Sequence, residues 1–461
     1  MSERHSRPYD SVLELIGWTP MVRLNAVTDG CRTPVFVKCE FMGPGGSIKD
    51  RIGLPLIEAA EADGWLKPGG TIVEATGGNT GLALAMAASL KGYRCICTMP
   101  DKMSSEKVKL LRAFGAEVII TPTAVPPDHP DHYLQKARSI TAETPGAVLA
   151  NQFYNQANPD AHYATTGPEI WEQSEGRVSH FIASAGTGGT ITGVGRYLKE
   201  KNPDVKIIGI DPDGSMIAPF FNTGEESEGH PYKVEGIGND KIPGALDLSV
   251  VDEYRSHGDG VSFRMARRVA REEGLFAGGS AGLLVHTAVE VAQELDDPDA
   301  FVVTLLCDWG ERYLTKTYDD DWMRENGFLE RPRRSTVLDT VHAKDNRVST
   351  LVTVEPTTPI RMALSAITAH DIGQVPVVRG GECIGSINEA RLMTQIIEAP
   401  ELLDKPVEMV MGAPYPVLDS HVDSDQIRPL LTRDNAACLV RDEGELVGIV
   451  TRYDIVRALA T

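Results

Sequence analysis

The sequence predicts an α/β architecture followed by a separate, repeat-built unit, on three observations. Between Ser11 and Phe328, short apolar runs alternate with longer helix-patterned segments, as a mostly parallel sheet with crossover connections requires. A basic, proline-containing stretch, Arg331-Pro332-Arg333-Arg334-Ser335, then interrupts the composition and reads as a linker. Beyond it, over residues 336–461, a strand–acidic turn–strand–helix pattern occurs twice, and two such copies are expected to share one core.

At 461 residues the chain has room for two or three domains with proper cores. A formal charge of −20 argues against nucleic acid or an anionic membrane as partner, and says nothing specific about substrate. Residues 1–10 are polar and the apolar stretch 12–17 is short and interrupted, so no signal peptide is expected. The longest apolar run, 82–90, is far below a membrane span. The seven cysteines include no Cys-x-x-Cys pair, so neither a zinc site, any other metal site nor a disulfide framework is expected, and the chain reads as cytoplasmic. Cys95 and Cys97 fall on one face of a strand and read as packing residues.

In chain order, residues 37–39 end an apolar strand and lead into Gly43, Gly45 and Gly46, a loop that lets backbone approach a ligand. Ser47 is the expected N-cap, which places Lys49 in the first turn of a helix running through 57–60. A helix N-terminus disfavours an ammonium ion, so Lys49 suits a Schiff base; the alternative is a solvated lysine in a Lys-Asp-Arg run. Strands are expected at 71–74, 94–98, 118–121, 181–183, 207–210 and 302–306. Helices are expected at 82–90, 105–114, 191–201 and 261–273, and loops at 122–130 and 222–231. In the repeat, 375–379 leads to 383–387, and 437–441 leads to 446–451.

Several glycine- or hydroxyl-rich segments follow strands, where open α/β sheets place ligands. Ala185-Gly186-Thr187-Gly188-Gly189-Thr190 precedes a helix, and its N–H groups and hydroxyls suit a phosphate. A dinucleotide reading of the same loop asks for an acidic residue about 20 residues on, and Asp211 roughly fits. Thr76-Gly77-Gly78-Asn79-Thr80 would bind a carboxylate, or else is a helix cap with turning glycines. Gly278-Gly279-Ser280-Ala281-Gly282 also precedes a helix, and Glu235-Gly236-Ile237-Gly238-Asn239 is a turn.

Together a Schiff-base lysine, a phosphate cup and a carboxylate cup are what an amino-acid enzyme using pyridoxal phosphate needs. On these segments, with Gly17-Trp18-Thr19-Pro20 and Met99-Pro100-Asp101-Lys102-Met103-Ser104-Ser105-Glu106-Lys107, the chain resembles the cystathionine β-synthase family. That family sits within the fold-type II pyridoxal-phosphate enzymes, alongside cysteine synthase. The resemblance implies a two-lobed fold-type II domain over 1–330 with twisted, mostly parallel sheets and a smaller lobe at roughly 53–155. It implies pyridoxal 5'-phosphate carried on Lys49, which later moves the Cα proton. Gly186, Thr187, Gly188, Gly189 and Thr190 would hold its phosphate, Asn79 its ring hydroxyl and Ser280 its pyridine nitrogen. Thr76, Gly78, Asn79, Thr80 and Gln152 would take the substrate carboxylate, with Gly236 lining the pocket. The implied reaction condenses serine with homocysteine to cystathionine, in a homodimer or higher homo-oligomer.

Three segments depart from the family. Gly77 stands where serine is usual, Asn239 where animal enzymes have tyrosine, and Cys307-Asp308-Trp309-Gly310-Glu311-Arg312-Tyr313 looks more like cysteine synthases. Sulfide and O-acetylserine therefore stand as alternative substrates. The haem-binding N-terminal extension of the animal enzymes is absent, so no haem is expected. The C-terminal repeat resembles a paired CBS-motif (Bateman) module. Thr451 and Asp454 match its ribose-contacting positions, where the first copy has Asn388 and Arg391. The resemblance thus implies an adenosyl ligand such as S-adenosylmethionine; a purely structural module is the alternative. A nucleoside-responsive binding protein without turnover, or an NAD-dependent oxidoreductase built on the Gly186 loop, would be readings of another class.

Overall fold

The computed structural model describes residues 8–76, 78–101, 103, 105–126, 128–226, 228–330, 336–342, 351–432 and 435–454. The chain divides into two compact units, Met1–Glu330 and Arg331–Thr461. The expected linker 331–335 lies outside the described residues.

Among the described residues the first unit holds ten strands. In chain order they are β1 (Met21–Arg23), β2 (Val35–Cys39), β3 (Thr71–Ala75), β4 (Arg94–Pro100) and β5 (Glu117–Thr121). There follow β6 (Ala147–Leu149), β7 (His180–Ser184), β8 (Lys206–Pro212), β9 (Glu253–His257) and β10 (Val302–Leu306). They form two sheets, ordered β1-β2-β10-β7-β8-β9 and β5-β4-β3-β6. Every pairing is parallel except β1 with β2. Helices cover the faces, so central strands are apolar throughout: β3 and β10 are buried at all five positions. Each sheet has its own main core, one spreading from Leu24 to Met323 and the other from Ile52 to Ala161.

Helix ends differ slightly from the sequence expectation. The helix expected at 82–90 is Asn79–Lys91, because Leu82 N–H already bonds the Gly78 carbonyl, at 3.0 Å; the polar first turn carries no apolar periodicity. Lys49 is not within the first turn. It precedes the helix Asp50–Ala62, and its carbonyl accepts the N–H groups of Ile52 and Gly53, while Ser47 Oγ accepts Lys49 N–H at 3.3 Å. Asn222 and Thr223 close the helix Ile217–Thr223, so the acidic loop starts after them.

Within the small lobe two helices meet through close backbone. A Cβ on Gly53 would lie 2.6 Å from the Ala83 carbonyl carbon and oxygen, so the helices Asp50–Ala62 and Asn79–Lys91 pack closely there. Their N-terminal ends, one preceded by Lys49 and the other carrying Asn79 and Thr80, are thereby brought side by side.

In the second unit, β11 (Gln374–Arg379) pairs antiparallel with β12 (Glu382–Asn388), followed by the helix Glu389–Glu398. In the second copy β13 (Val417–Asp419) runs parallel to β14 (Ala437–Asp442), which pairs antiparallel with β15 (Glu445–Thr451). The first turn, Gly380-Gly381, is glycine rather than acidic; both residues take positive φ there. A small cluster of Tyr415, Ala437 and Leu439, with Leu351, Cys383, Leu446 and Ile449 against it, is shared by the two copies. The closing helix expected of the second copy falls mostly outside the described residues. Among the described residues no helix is long and apolar enough to cross a membrane.

Candidate active site

Lys49 stands on an anchor of buried charge. Arg51 forms two forked pairs, with Glu40 (2.6 and 2.8 Å) and with Glu169 (2.8 and 2.7 Å). Lys38 lies 2.8 Å from Glu169, and also donates to Gln173 Oε1 and the Thr19 carbonyl at 2.9 Å. Two cations and two anions thus neutralise one another out of water. Burial alone would raise the Glu169 carboxyl, but bonds and charge from Arg51 and Lys38 overcome it and hold the group at about 2. Ahead of the lysine, Asp50 Oδ2 accepts Gly45 N–H at 2.8 Å, and a Cβ on Gly45 would collide with that carboxylate. The glycine is therefore required for the loop to close.

Burial lowers the Lys49 ammonium pKa, with Cys307 and Asp308 pushing the other way. Those two belong to the segment after β10, which zips the lysine loop to the Ser280 loop. Ile48 N–H bonds Cys307 O (2.8 Å), Trp309 N–H bonds Gly46 O (3.2 Å) and Gly278 N–H bonds Asp308 O (3.0 Å). Ser280, buried in the first turn of the helix Gly279–Leu295, bonds the Cys307 thiol, which burial raises to about 12.

The Asp308 carboxylate accepts Tyr313 O–H at 2.6 Å and an Asn79 Nδ2–H at 2.8 Å, while its Oδ1 has no partner among the described residues. Arg312 donates to Asn79 Oδ1 and to the Gly45 carbonyl. Both ends of the Asn79 amide are therefore held by protein, and a ring hydroxyl would share or replace one of them. Nearby, Gly78 N–H bonds Thr76 Oγ1 (3.2 Å) and Thr80 Oγ1 donates to Gln152 Oε1 (2.6 Å). Glu74, at the end of β3, fixes this corner by accepting Asn151 N–H at 2.7 Å; burial raises its carboxyl to about 7. Gly77 lies outside the described residues.

The loop 185–190 ends β7 and caps the helix Gly189–Lys201, whose first N–H groups lack intrahelical partners. Gly188 has φ +83°, and a Cβ on it would press into Leu246; one on Gly189 would strike Asn158. Asn158 Nδ2 bonds both Thr187 Oγ1 and the Gln152 carbonyl at 2.9 Å, leaving its buried Oδ1 without a partner. Thr190 Oγ1 meets His162 Nε2 at 3.1 Å. Burial, then the cations Arg51 and Lys49, hold His162 well below its usual pKa, so it stays neutral. Gly236 packs its carbonyl on Gly186, and Asn239 donates to the Gly186 carbonyl, which is what this chain does with the position where animal relatives have tyrosine. Beside Gly236, Glu235 is paired with Lys107 and Lys316.

The dinucleotide reading fails on Asp211. Its carboxylate is buried, raised to about 7, and accepts Ser215 O–H (2.5 Å) and Tyr254 O–H (3.2 Å), leaving nothing for a ribose. Helix N–H groups with hydroxyls, a deprotonation-prone lysine and a polar corner at Thr76, Thr80 and Gln152 do fit a phosphorylated aldehyde holding an amino acid. Sequence reasoning missed Asp308 as a holder of Asn79, Glu74, Asn158, His162 and the Arg51 anchor.

The pyridoxal-phosphate dependent enzyme family profile matches residues 12–308, and the CBS domain profile matches 348–398 and 407–461. The chain is 36% identical to a cystathionine beta-synthase of Dictyostelium discoideum, over 98% of this chain and 92% of that one. The chain belongs to the cystathionine β-synthase family of pyridoxal-phosphate enzymes. A cysteine synthase of Staphylococcus aureus is 42% identical over 68% of this chain and 99% of that protein. The crystal structure of an O-ureido-L-serine synthase superposes with a TM-score of 0.61 at 37% identity, covering 69% of this chain and all of that one. Membership of the cystathionine β-synthase family makes pyridoxal phosphate the cofactor, and the CBS domain matches fall in the second unit.

Proposed function

We propose that this protein condenses L-serine with L-homocysteine to L-cystathionine and water. The observation that carries the reading is a buried lysine whose loop is hydrogen-bonded to the 307–309 segment, where Asp308 in turn accepts an Asn79 N–H. Bound pyridoxal phosphate supplies an electron sink that makes the substrate α-proton acidic. Lys49 would hold it covalently and, once freed by the substrate amine, take that proton from Cα. The serine Cβ–oxygen bond would break, its hydroxyl leaving as water with the proton of the homocysteine thiol. Lys49 would return the Cα proton once the sulfur–Cβ bond has formed. Gly186 to Thr190 would fix the phosphate, and Ser280 the pyridine nitrogen. Thr76, Gly78, Asn79, Thr80 and Gln152 would orient the substrate carboxylate, with Gly236 beside them. The Lys107–Glu235–Lys316 pairs link the helix Ser105–Ala113 of the small lobe to the large one, which supports a closed, water-poor pocket.

Cysteine synthase chemistry is the second reading, favoured by the 307–313 segment and by the Staphylococcus relative. Turnover of serine plus homocysteine against O-acetylserine plus sulfide separates the two. The proposal expects the first pair to have the larger kcat/KM; a larger value for the second overturns it.

For the CBS pair we propose an adenosyl ligand, with S-adenosylmethionine the first to test. Thr451 N–H and O–H both bond Asp454 Oδ2, at 2.7 Å, so strand end and following turn present the two residues together. In the first copy Asn388 Oδ1 accepts Arg391 N–H at 3.1 Å, a helix cap. Thr451→Ala should weaken adenosyl binding with the cofactor absorbance unchanged; unaltered affinity in calorimetry would assign the ligand elsewhere. Free cysteines throughout support a cytoplasmic protein.

A further inference from the structure

On the first unit, three ligand-type side chains converge outside every loop discussed above. His257 ends β9, and His286 and Glu290 lie one turn apart on one face of the helix Gly279–Leu295. His257 Nε2 is 2.6 Å from Glu290 Oε2, and His286 Nε2 is 3.1 Å from Glu290 Oε1. The two imidazoles meet edge to face, with centroids 4.9 Å apart. One ligand atom from each residue lies within 4.8 Å of the other two.

We propose that His257, His286 and Glu290 form a binding site for a divalent transition metal of the zinc class, with water completing the coordination. Tetrahedral zinc with nitrogen and oxygen at about 2.0–2.1 Å needs its ligand atoms roughly 3.3 Å apart. The two nitrogen–oxygen spacings, 2.6 and 3.1 Å, run to different Glu290 oxygens and fall short of that value, while the ligand atoms all lie within 4.8 Å, so side-chain shifts on the order of 1 Å would bring one atom from each residue onto the metal. Two imidazoles and one carboxylate select zinc, cobalt or nickel over magnesium and calcium, which take oxygen ligands. The side chains are 22%, 26% and 32% exposed, so water and metal can reach them while the protein fixes their directions. Arg264 lies near His286 and opposes a cation; the Glu290 carboxylate, touching both rings, offsets it. The cation would pin the helix to the edge strand β9, about 9 Å along the helix from Ser280.

Cobalt is the probe. Metal-stripped holoprotein is titrated with Co²⁺ and read by ligand-field absorption and equilibrium dialysis, then back-titrated with Zn²⁺. The proposal expects one cobalt per chain, displaced by zinc, with affinity at least about tenfold weaker in H257N, H286N and E290Q. Zinc should also raise the Tm of wild type but not of the H257N/H286N double variant. Cofactor absorbance reports that each variant is folded, and comparison with the variants removes any contribution from thiols. No cobalt bound by wild type, or equal binding by the double variant, overturns the site.

Discussion

The two lobes of the first unit hold their ends of the active site by different physics. In the large lobe, the lysine and its loop rest on Arg51, Glu40, Glu169 and Lys38, charges buried and paired at 2.6–2.8 Å. In the small lobe, Thr76, Thr80 and Gln152 sit at the end of a purely parallel sheet, tied by hydroxyl and amide bonds and by one buried carboxyl, Glu74. A charged anchor fixes direction and is intolerant of losing a member. A neutral hydrogen-bond corner fixes shape, and its parts yield by smaller amounts. The half proposed to hold the lysine thus rests on paired buried charge that resists movement, while the half proposed to hold substrate is joined to it through the Lys107–Glu235–Lys316 pairs.

The largest break is chemical. Lys49→Ala should abolish visible cofactor absorbance and cut turnover by at least about 10⁴-fold, checked by absorbance and steady-state rates. Next comes the anchor. Arg51→Met leaves Glu40 without its cation and Glu169 with Lys38 alone, and should cost about 3–5 kcal/mol, read by denaturant unfolding. Within the small lobe, Gly53→Ala drives a methyl into the Ala83 carbonyl and should cost about 1–3 kcal/mol, with a raised KM for the amino acid.

The smallest effect sharpens the contrast through pH. Glu74 is raised to about 7 in the folded protein and has an ordinary pKa of about 4.3 when unfolded. The folded state then keeps a proton that the unfolded chain releases, so this contribution is full below about 4.3 and lost as pH rises towards about 7. Glu169, depressed to about 2 by Arg51 and Lys38, has the opposite sign: its contribution is present above about 4.3 and lost as pH falls to about 2. Glu74→Gln should flatten the stability slope on the near-neutral side only, measured by urea midpoints across that range.

How much was legible follows from distance along the chain. The lysine, phosphate and carboxylate loops each show as glycines and hydroxyls between a strand and a helix, so local chemistry marked them. Asn79 and Asp308 are 229 residues apart and Arg51 and Glu169 118 apart, pairings that no local pattern reveals. Arg51 read as part of a solvated charge run because its neutralising partners come from elsewhere in the fold. Asp211 misled for the converse reason: its spacing suited a ribose, but the strand beside it supplies Tyr254 to satisfy it. The metal candidate was hidden likewise, His257 lying 33 residues from Glu290 on a different element.

The central claim is that Lys49 carries the cofactor. Borohydride reduction of the holoprotein followed by peptide mass mapping tests it directly. The account predicts the phosphopyridoxyl mass on the peptide containing Lys49 and on no other lysine. A label on a different lysine, or none on a protein that shows cofactor absorbance, would contradict it.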